Sequence, residues 1–138
     1  MATSSGCRWT AELTEPEYEP LAQDRRLAAA YADAVPALGR EFGTRVLAGG
    51  STDMGNVSQY LPALHPMIGV SGSQHAPHTH GFAADAVSPA GDDAVLDGAR
   101  ALARTVITVA EDADARTGLL AERAARAPYR RHGSEENR

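Results

Sequence analysis

The sequence has few of the residues and patterns on which several large classes of protein depend. It contains one cysteine, Cys7, which excludes an internal disulfide and favours a reducing compartment. Aromatic residues make up only 5% of the chain, so Ala, Val and Leu must supply most of any core. No run of about 18 apolar residues occurs, and no basic segment followed by an apolar one opens the chain. We therefore expect a cytoplasmic protein with no secretory signal and no membrane partner.

Basic charge is also scarce. Thirteen basic and eighteen acidic side chains give a formal net charge of −5, which leaves no basic face for DNA or RNA. The 138 residues are 43% hydrophobic and 22% charged, a composition that is sufficient for one packed domain. We expect a single domain with no nucleic-acid partner.

Three segments have the pattern of β-strands. Residues 6–13 alternate between apolar and polar side chains, which is typical of a half-buried strand. Short apolar runs at 46–48 and 67–70 are bounded by glycine and indicate buried strands, the second of them central. Each of these two runs is followed by a polar loop. The order predicts an open α/β sheet in which those loops form the ligand crevice.

Three further segments have helical spacing. One helix is predicted from about Gln23 to Val35, where apolar residues at three- and four-residue spacing form one stripe, with Pro36 ending it. A longer helix is predicted to begin at an N-cap at Asp92 or Asp93, and a weaker one spans about Thr117 to Ala127. The long helix has one continuous apolar face: Val95, Leu96, Ala99, Leu102, Ala103, Val106, Ile107 and Ala110.

The loop 74–80 holds the densest group of chemically active side chains. Its three histidines, His75, His78 and His80, are of a type that commonly binds zinc and similar ions. Pro77 prevents the i, i+4 presentation of a helix, so at most one or two of the three imidazoles can face a single ion. A solvated surface loop that is rich in histidine is the alternative that this pattern leaves open.

A second polar motif follows the apolar run at 46–48. Two glycines let the backbone turn sharply, and Ser51, Thr52 and Asp53 can then cap the next segment or hold an anion. Asp53 could also accept a hydrogen bond from an imidazole and fix its tautomer. An ordinary capped turn is the alternative. His65, beside Pro66, is a weaker candidate that we expect to be structural.

The order of the motifs is more specific than any one of them. Gly-Gly-Ser-Thr-Asp-Met-Gly-Asn-Val-Ser at 49–58 is followed by Leu-His-Pro-Met-Ile at 64–68 and by His-Thr-His-Gly-Phe at 78–82. Ala-Asp-Ala and the long helix come next. This series resembles the C-terminal part of the M20 metallopeptidase and amidohydrolase family, and it is similar to the branch of aminobenzoyl-glutamate hydrolase-like and M20-domain dipeptidase-like proteins. The resemblance covers about Gly6 to Ala110.

The resemblance implies a division of the chain. Residues 1–20 would be the last strand of a lid or dimerisation domain with its crossing linker. Residues 21–128 would be the C-terminal half of a catalytic domain, a mixed sheet flanked by helices, and residues 129–138 a disordered tail. The complete enzyme would be a homodimer that cleaves the amide bond of small N-acyl amino acids or dipeptide-like substrates.

The resemblance also implies a site. Zinc or another divalent metal would occupy a two-metal centre in the complete enzyme, with His78 as one ligand and His75 and His80 as its neighbours. Ser51, Thr52 and Asp53 would shape the substrate pocket.

Other residues that this chemistry requires have no counterpart in the sequence. No His-x-Asp pair occurs, and the one adjacent pair of glutamates is Glu135-Glu136, near the end of the chain. Two-metal hydrolysis needs ions that polarise the carbonyl and a carboxylate that carries the proton. We therefore expect a fragment that holds no catalytic residue and is inactive alone. The alternative function is a non-catalytic module that binds a partner or a metal.

Overall fold

The computed structural model describes Gly6, residues 18–43 and residues 52–126, and within these ranges the regular structure is helical. The elements in chain order are α1 (Arg25–Ala34), a 3₁₀ helix (Pro36–Leu38), α2 (Met54–Tyr60), α3 (His80–Ala86), α4 (Pro89–Glu111) and α5 (Ala113–Ala125). None of the helices in these ranges has the length and apolar character needed to cross a bilayer.

The expected α/β fold, a mixed sheet flanked by helices, is wrong for the described residues, which contain no strand. One isolated parallel bridge joins Gln23 and Ala63. The run 67–70, predicted as a central strand, forms none. A strand needs a neighbouring backbone to pair with its amide and carbonyl groups, and a run of apolar residues does not specify that neighbour. The carbonyl oxygen of Gly69 instead accepts a hydrogen bond of 2.9 Å from the guanidinium of Arg40.

Several expectations lie outside the described residues. They are the strands predicted at 6–13 (apart from Gly6) and at 46–48, and the tail at 129–138. The boundaries of the predicted lid remnant and catalytic half stay predictions.

The first predicted helix is confirmed. The Asp24 carboxylate caps α1 by accepting hydrogen bonds from the backbone amides of Arg26 (2.8 Å) and Leu27 (3.1 Å). The predicted apolar stripe faces the interior, with Tyr31 and Val35 among its buried members. The 3₁₀ turn that opens at Pro36 then ends the helix, as expected from the missing amide hydrogen of proline.

The long helix is confirmed, but its predicted start is wrong. The N-cap is Ser88, whose hydroxyl accepts a hydrogen bond of 3.2 Å from the backbone amide of Gly91. Pro89 occupies the first turn, where its fixed φ suits a helix and its missing donor costs nothing. Asp92 therefore lies in the first turn, not at the cap. The last helix, α5, also begins earlier than predicted, because Asp112 caps it with hydrogen bonds from the amides of Asp114 and Ala115.

The core is small and lies between α1 and α4. Tyr31, Val35 and the fully buried Ala101 form its centre, and Leu38 and Leu64 pack against it. The buried positions along α4 are all small residues, namely Gly91, Ala94, Ala101 and Thr105, and Ala101 is the one that belongs to the cluster with Tyr31 and Val35. Small side chains allow the two helices to approach closely.

The continuous apolar face predicted for the long helix is therefore not the face that packs on α1. Its large residues are exposed, and their exposed fraction ranges from 44% for Leu102 to 70% for Val95. The exposed large residues of this face are Val95, Leu96, Leu102, Val106 and Ile107.

Helix α2 is attached to the segment that precedes α1. The hydroxyl of the fully buried Ser58 accepts a hydrogen bond of 2.9 Å from the amide of Ala22 and donates one of 2.6 Å to the carbonyl of Gly55. Gly55 is needed for this contact, because a Cβ at that position would lie 1.8 Å from the carbonyl oxygen of Glu19. Nothing in the sequence pattern predicted this helix; residues 51–60 had the composition of a loop.

Candidate functional site

Asp85 of α3 holds one of the predicted site histidines. Its carboxylate oxygen Oδ2 lies 2.8 Å from Nδ1 of His75 and accepts a hydrogen bond of 2.6 Å from the hydroxyl of Ser73. The same Ser73 hydroxyl accepts a hydrogen bond of 3.3 Å from the backbone amide of His75. These contacts fix both the backbone and the imidazole of His75 against α3.

Gly81 makes room for the imidazole. A Cβ at residue 81 would lie 2.3 Å from Cδ2 of His75, which is far inside van der Waals contact. Any larger residue there would displace the ring from Asp85. The glycine in the motif at 78–82 therefore has a steric role that the sequence alone did not indicate.

The contact with Asp85 determines what the other ring nitrogen of His75 can do. An imidazole that donates from Nδ1 to a carboxylate carries, when neutral, an unprotonated Nε2. That nitrogen can accept a proton or bind a cation, and a carboxylate behind it is a common support for a histidine ligand. The His75 side chain is 54% exposed.

Sequence reasoning missed Asp85 as a site residue. It belongs to the Ala-Asp-Ala motif at 84–86, which lies ten residues after His75 in the sequence. The contact between the two side chains exists only when α3 has formed, so the sequence alone does not reveal it. Hydrogen bonds from Ser73 and then from His75 lower the pKa of Asp85. The carboxylate therefore stays charged, and keeps its hydrogen bond with His75, at pH values below those at which aspartate is usually protonated.

His78 and His80 lie at the turn into α3, and both are exposed. His78 has a φ of 63°, in the left-handed region that residues other than glycine rarely adopt. Thr79 fixes the turn, because its hydroxyl donates to the carbonyl of Ala76 (2.7 Å) and caps α3 by accepting from the amide of Phe82 (3.2 Å). His80 is the first residue of the helix.

The second predicted motif contacts a different histidine. The hydroxyl of Thr52 lies 3.4 Å from Nδ1 of His65 and also accepts a hydrogen bond of 3.3 Å from the amide of Met54, at the start of α2. The backbone amide of His65 donates to the side-chain oxygen of Gln23 (2.9 Å). The contacts thus place His65 in a network of hydrogen bonds, and Asp53 at the N-cap position of α2. Ser51 lies outside the described residues.

The histidine loop offers a partial set of metal ligands. Within residues 18–43 and 52–126, no three His, Cys, Asp or Glu side chains lie close enough together to hold an ion. The exposed imidazoles of His75, His78 and His80 nevertheless suit zinc as single ligands.

The described residues also form an open groove of about 390 Å³ between the middle of α4 and the segments 39–43 and 67–71. Tyr31 and Ala101 are part of its lining. Arg40 and Asp97 also line it, and they form an ion pair in which Nε of Arg40 lies 2.8 Å from Oδ2 of Asp97. The lining contains neither the histidine loop nor Thr52 and Asp53, so the groove is separate from the candidate site.

Comparison with known proteins gives one informative similarity. The chain is 35% identical over 112 residues to a Xaa-Arg dipeptidase from Mus musculus, and the match covers 78% of this chain. It covers 26% of the relative, so the chain spans about a quarter of the dipeptidase's length. No family model and no solved structure matches. The similarity supports a dipeptidase-like relationship.

Proposed function

We propose that this chain forms part of the metal and substrate site of an M20-type hydrolase that cleaves the amide bond of small N-acyl amino acids or dipeptide-like substrates. The observation that carries the proposal is the 35% identity to a Xaa-Arg dipeptidase, which extends over 78% of the chain. The motifs at 49–58, 64–68 and 78–82 support the M20 assignment by their order.

In this proposal His78 is the metal ligand that the chain contributes, with His75 and His80 beside it. Zinc or another divalent ion would supply Lewis acidity to the substrate carbonyl and lower the pKa of a bound water. Asp85 and Ser73 orient His75, so that its Nε2 can bind the ion or hold a proton near it. Ser51, Thr52 and Asp53 would shape the substrate pocket.

The other catalytic functions must come from residues outside this sequence, since it holds neither a His-x-Asp pair nor a Glu-Glu pair before residue 135. We propose that the 138-residue chain does not hydrolyse dipeptides by itself, and that the complete enzyme is a homodimer. The single cysteine supports a reducing, cytoplasmic location.

The exposure of His75, His78 and His80 favours a second candidate function, a non-catalytic module in which this loop binds a metal or a partner. The two candidates differ in whether Thr52 and Asp53 contact a dipeptide.

The experiment is an NMR titration of the ¹⁵N-labelled chain with a dipeptide that ends in arginine, with and without zinc. The proposal predicts that amide signals shift at Thr52 and Asp53 and in the loop 74–80, and that the dipeptide stays intact. Zinc should strengthen the shifts. Shifts with zinc alone, and none with the dipeptide at millimolar concentration, would favour the non-catalytic module.

A further inference from the structure

Helix α2 depends on contacts with other parts of the chain. It has seven residues, too few for a helix that is stable by itself in water, and it takes part in none of the extensive helix–helix contacts within residues 18–43 and 52–126. The side chain of Asn56 accepts a hydrogen bond from the amide of Glu19, and Gln59 donates one to the carbonyl of Pro20. These bonds attach α2 to an exposed segment without helical structure.

Arg126, at the end of α5, connects α2 to one of the longer helices. Its guanidinium donates hydrogen bonds to the carbonyl oxygens of Ser58 and of Leu61 (3.0 Å), at the C-terminal end of α2. The last carbonyl groups of a helix have no partner within the helix, and a cation at this end also suits the helix dipole. The Arg126 side chain therefore caps α2 from outside it.

Glu122 and Arg26 hold this guanidinium in place. One carboxylate oxygen of Glu122 accepts a hydrogen bond of 2.6 Å from Arg126, and the other accepts one of 2.9 Å from Arg26 of α1. Gly118 leaves room for Arg26 against α5, because a Cβ at residue 118 would lie 3.1 Å from Nε and Cζ of Arg26. The position of Arg126 is thus determined by α1 as well as by α5.

The other end of α2 begins at the turn that contains Thr52 and Asp53. Asp53 occupies the N-cap position, and the hydroxyl of Thr52 accepts a hydrogen bond from the amide of Met54. Because α2 is only about 10 Å long, a constraint at one end is transmitted to the other. We propose that Arg126 is a positioning residue for this turn, which it places by holding the C-terminal end of α2. The inference rests on the proposed function, in which Thr52 and Asp53 shape the substrate pocket.

The substitution Arg126→Gln tests the proposal, and Arg123→Gln is the matched control. Both remove one positive charge near the end of α5, but Arg123 is exposed and takes no part in the contacts described above. In Arg126→Gln the amides of Val57 and Leu61, which bond within α2, should exchange with solvent about tenfold faster or more, because a charged donor is lost. Amide exchange in α4 should be unchanged in both variants.

The ¹⁵N–¹H signals of Thr52 and Asp53 distinguish positioning from mere stabilisation of α2. They should move in Arg126→Gln and stay in place in Arg123→Gln. Arg126→Lys keeps the charge but loses the planar fork of donors, so the signals should move less than in Arg126→Gln. Unchanged Thr52 and Asp53 signals in Arg126→Gln, or equal changes in the control, would overturn the proposal even if α2 exchanges faster.

Titration with the dipeptide that ends in arginine separates this inference from the proposed function. If the unsubstituted chain binds the dipeptide, Arg126→Gln should weaken binding and Arg123→Gln should not, and equal binding by all three proteins would count against the positioning role. If the unsubstituted chain does not bind it, the proposed function fails, while the exchange rates and the Thr52 and Asp53 signals still decide whether Arg126 positions the turn.

Discussion

At the scale of single residues, the site depends on a few small and polar side chains around the histidines. Ser73 and Asp85 hold His75, Gly81 makes space for its ring, and Thr79 fixes the turn that carries His78. The histidines themselves could be identified from the sequence because three of them occur in six residues. Asp85 could not, because its role depends on how α3 folds back on the loop.

Gly81→Ala should separate His75 from Asp85. The new Cβ would lie 2.3 Å from the ring, while alanine favours the helix more than glycine does, so we expect α3 to persist and the imidazole to move. The measurement is the ¹⁵N–¹H correlation spectrum of the histidine side chains, in which the Nδ1–H signal of His75 should be lost. Gly69→Ala is the control, since a Cβ there meets nothing within 4 Å. An unchanged His75 signal in Gly81→Ala would contradict the described contact.

At the scale of the elements, the helices were predictable where local sequence determines them. The apolar stripe and Pro36 correctly predicted α1, and the long periodic segment correctly predicted that α4 is present. The start of α4 was missed because Ser88-Pro89 is as good a helix start as the aspartates that follow. The extended run at 67–70 was misassigned because strand formation depends on a partner that its sequence does not encode.

The start of α4 can be measured by two substitutions. Ser88→Ala removes the side chain that caps Gly91, so it should lower the free energy of unfolding by about 1 kcal/mol. Asp93→Ala should change it by less than about 0.5 kcal/mol, because Asp93 lies beyond the cap and is exposed. Urea denaturation followed by circular dichroism gives both values. A larger loss in Asp93→Ala than in Ser88→Ala would restore the start predicted from the sequence.

At the scale of the whole molecule, a small core is supplemented by ion pairs between distant segments. Glu122 of α5 pairs with Arg26 of α1 (2.9 Å) and with Arg126 (2.6 Å), and Arg126 also donates to the carbonyl groups of Ser58 and Leu61. Arg40 joins α4 to the segment 67–70 through Asp97 and Gly69. Apart from the i, i+4 pair of Glu122 and Arg126, none of these contacts was predictable, because their partners are separated by 29 to 96 residues in sequence.

These carboxylates should make the fold sensitive to acid. Hydrogen bonds from Arg126 and then Arg26 lower the pKa of Glu122 to about 2, and Arg40 lowers the pKa of Asp97. A lowered pKa in the folded state stabilises the protein above the ordinary carboxyl pKa of about 4 and loses that contribution as the pH falls through the folded value. The urea midpoint should therefore decrease from pH 5 to pH 2.5, and decrease less in Glu122→Gln. An equal or higher midpoint at pH 2.5 would refute this expectation.

Zinc calorimetry tests the central claim most directly, namely that the histidine loop supplies ligands to a metal site and that His78 is the principal one. The proteins are the Cys7→Ser chain and the same chain with His78→Gly or His65→Ala. Glycine tolerates the φ of 63° at residue 78, so His78→Gly removes the imidazole and keeps the turn. With one or two protein ligands, binding should be weak, lost in His78→Gly and retained in His65→Ala. Tight binding that survives His78→Gly, or no binding to the unsubstituted loop, would contradict the account.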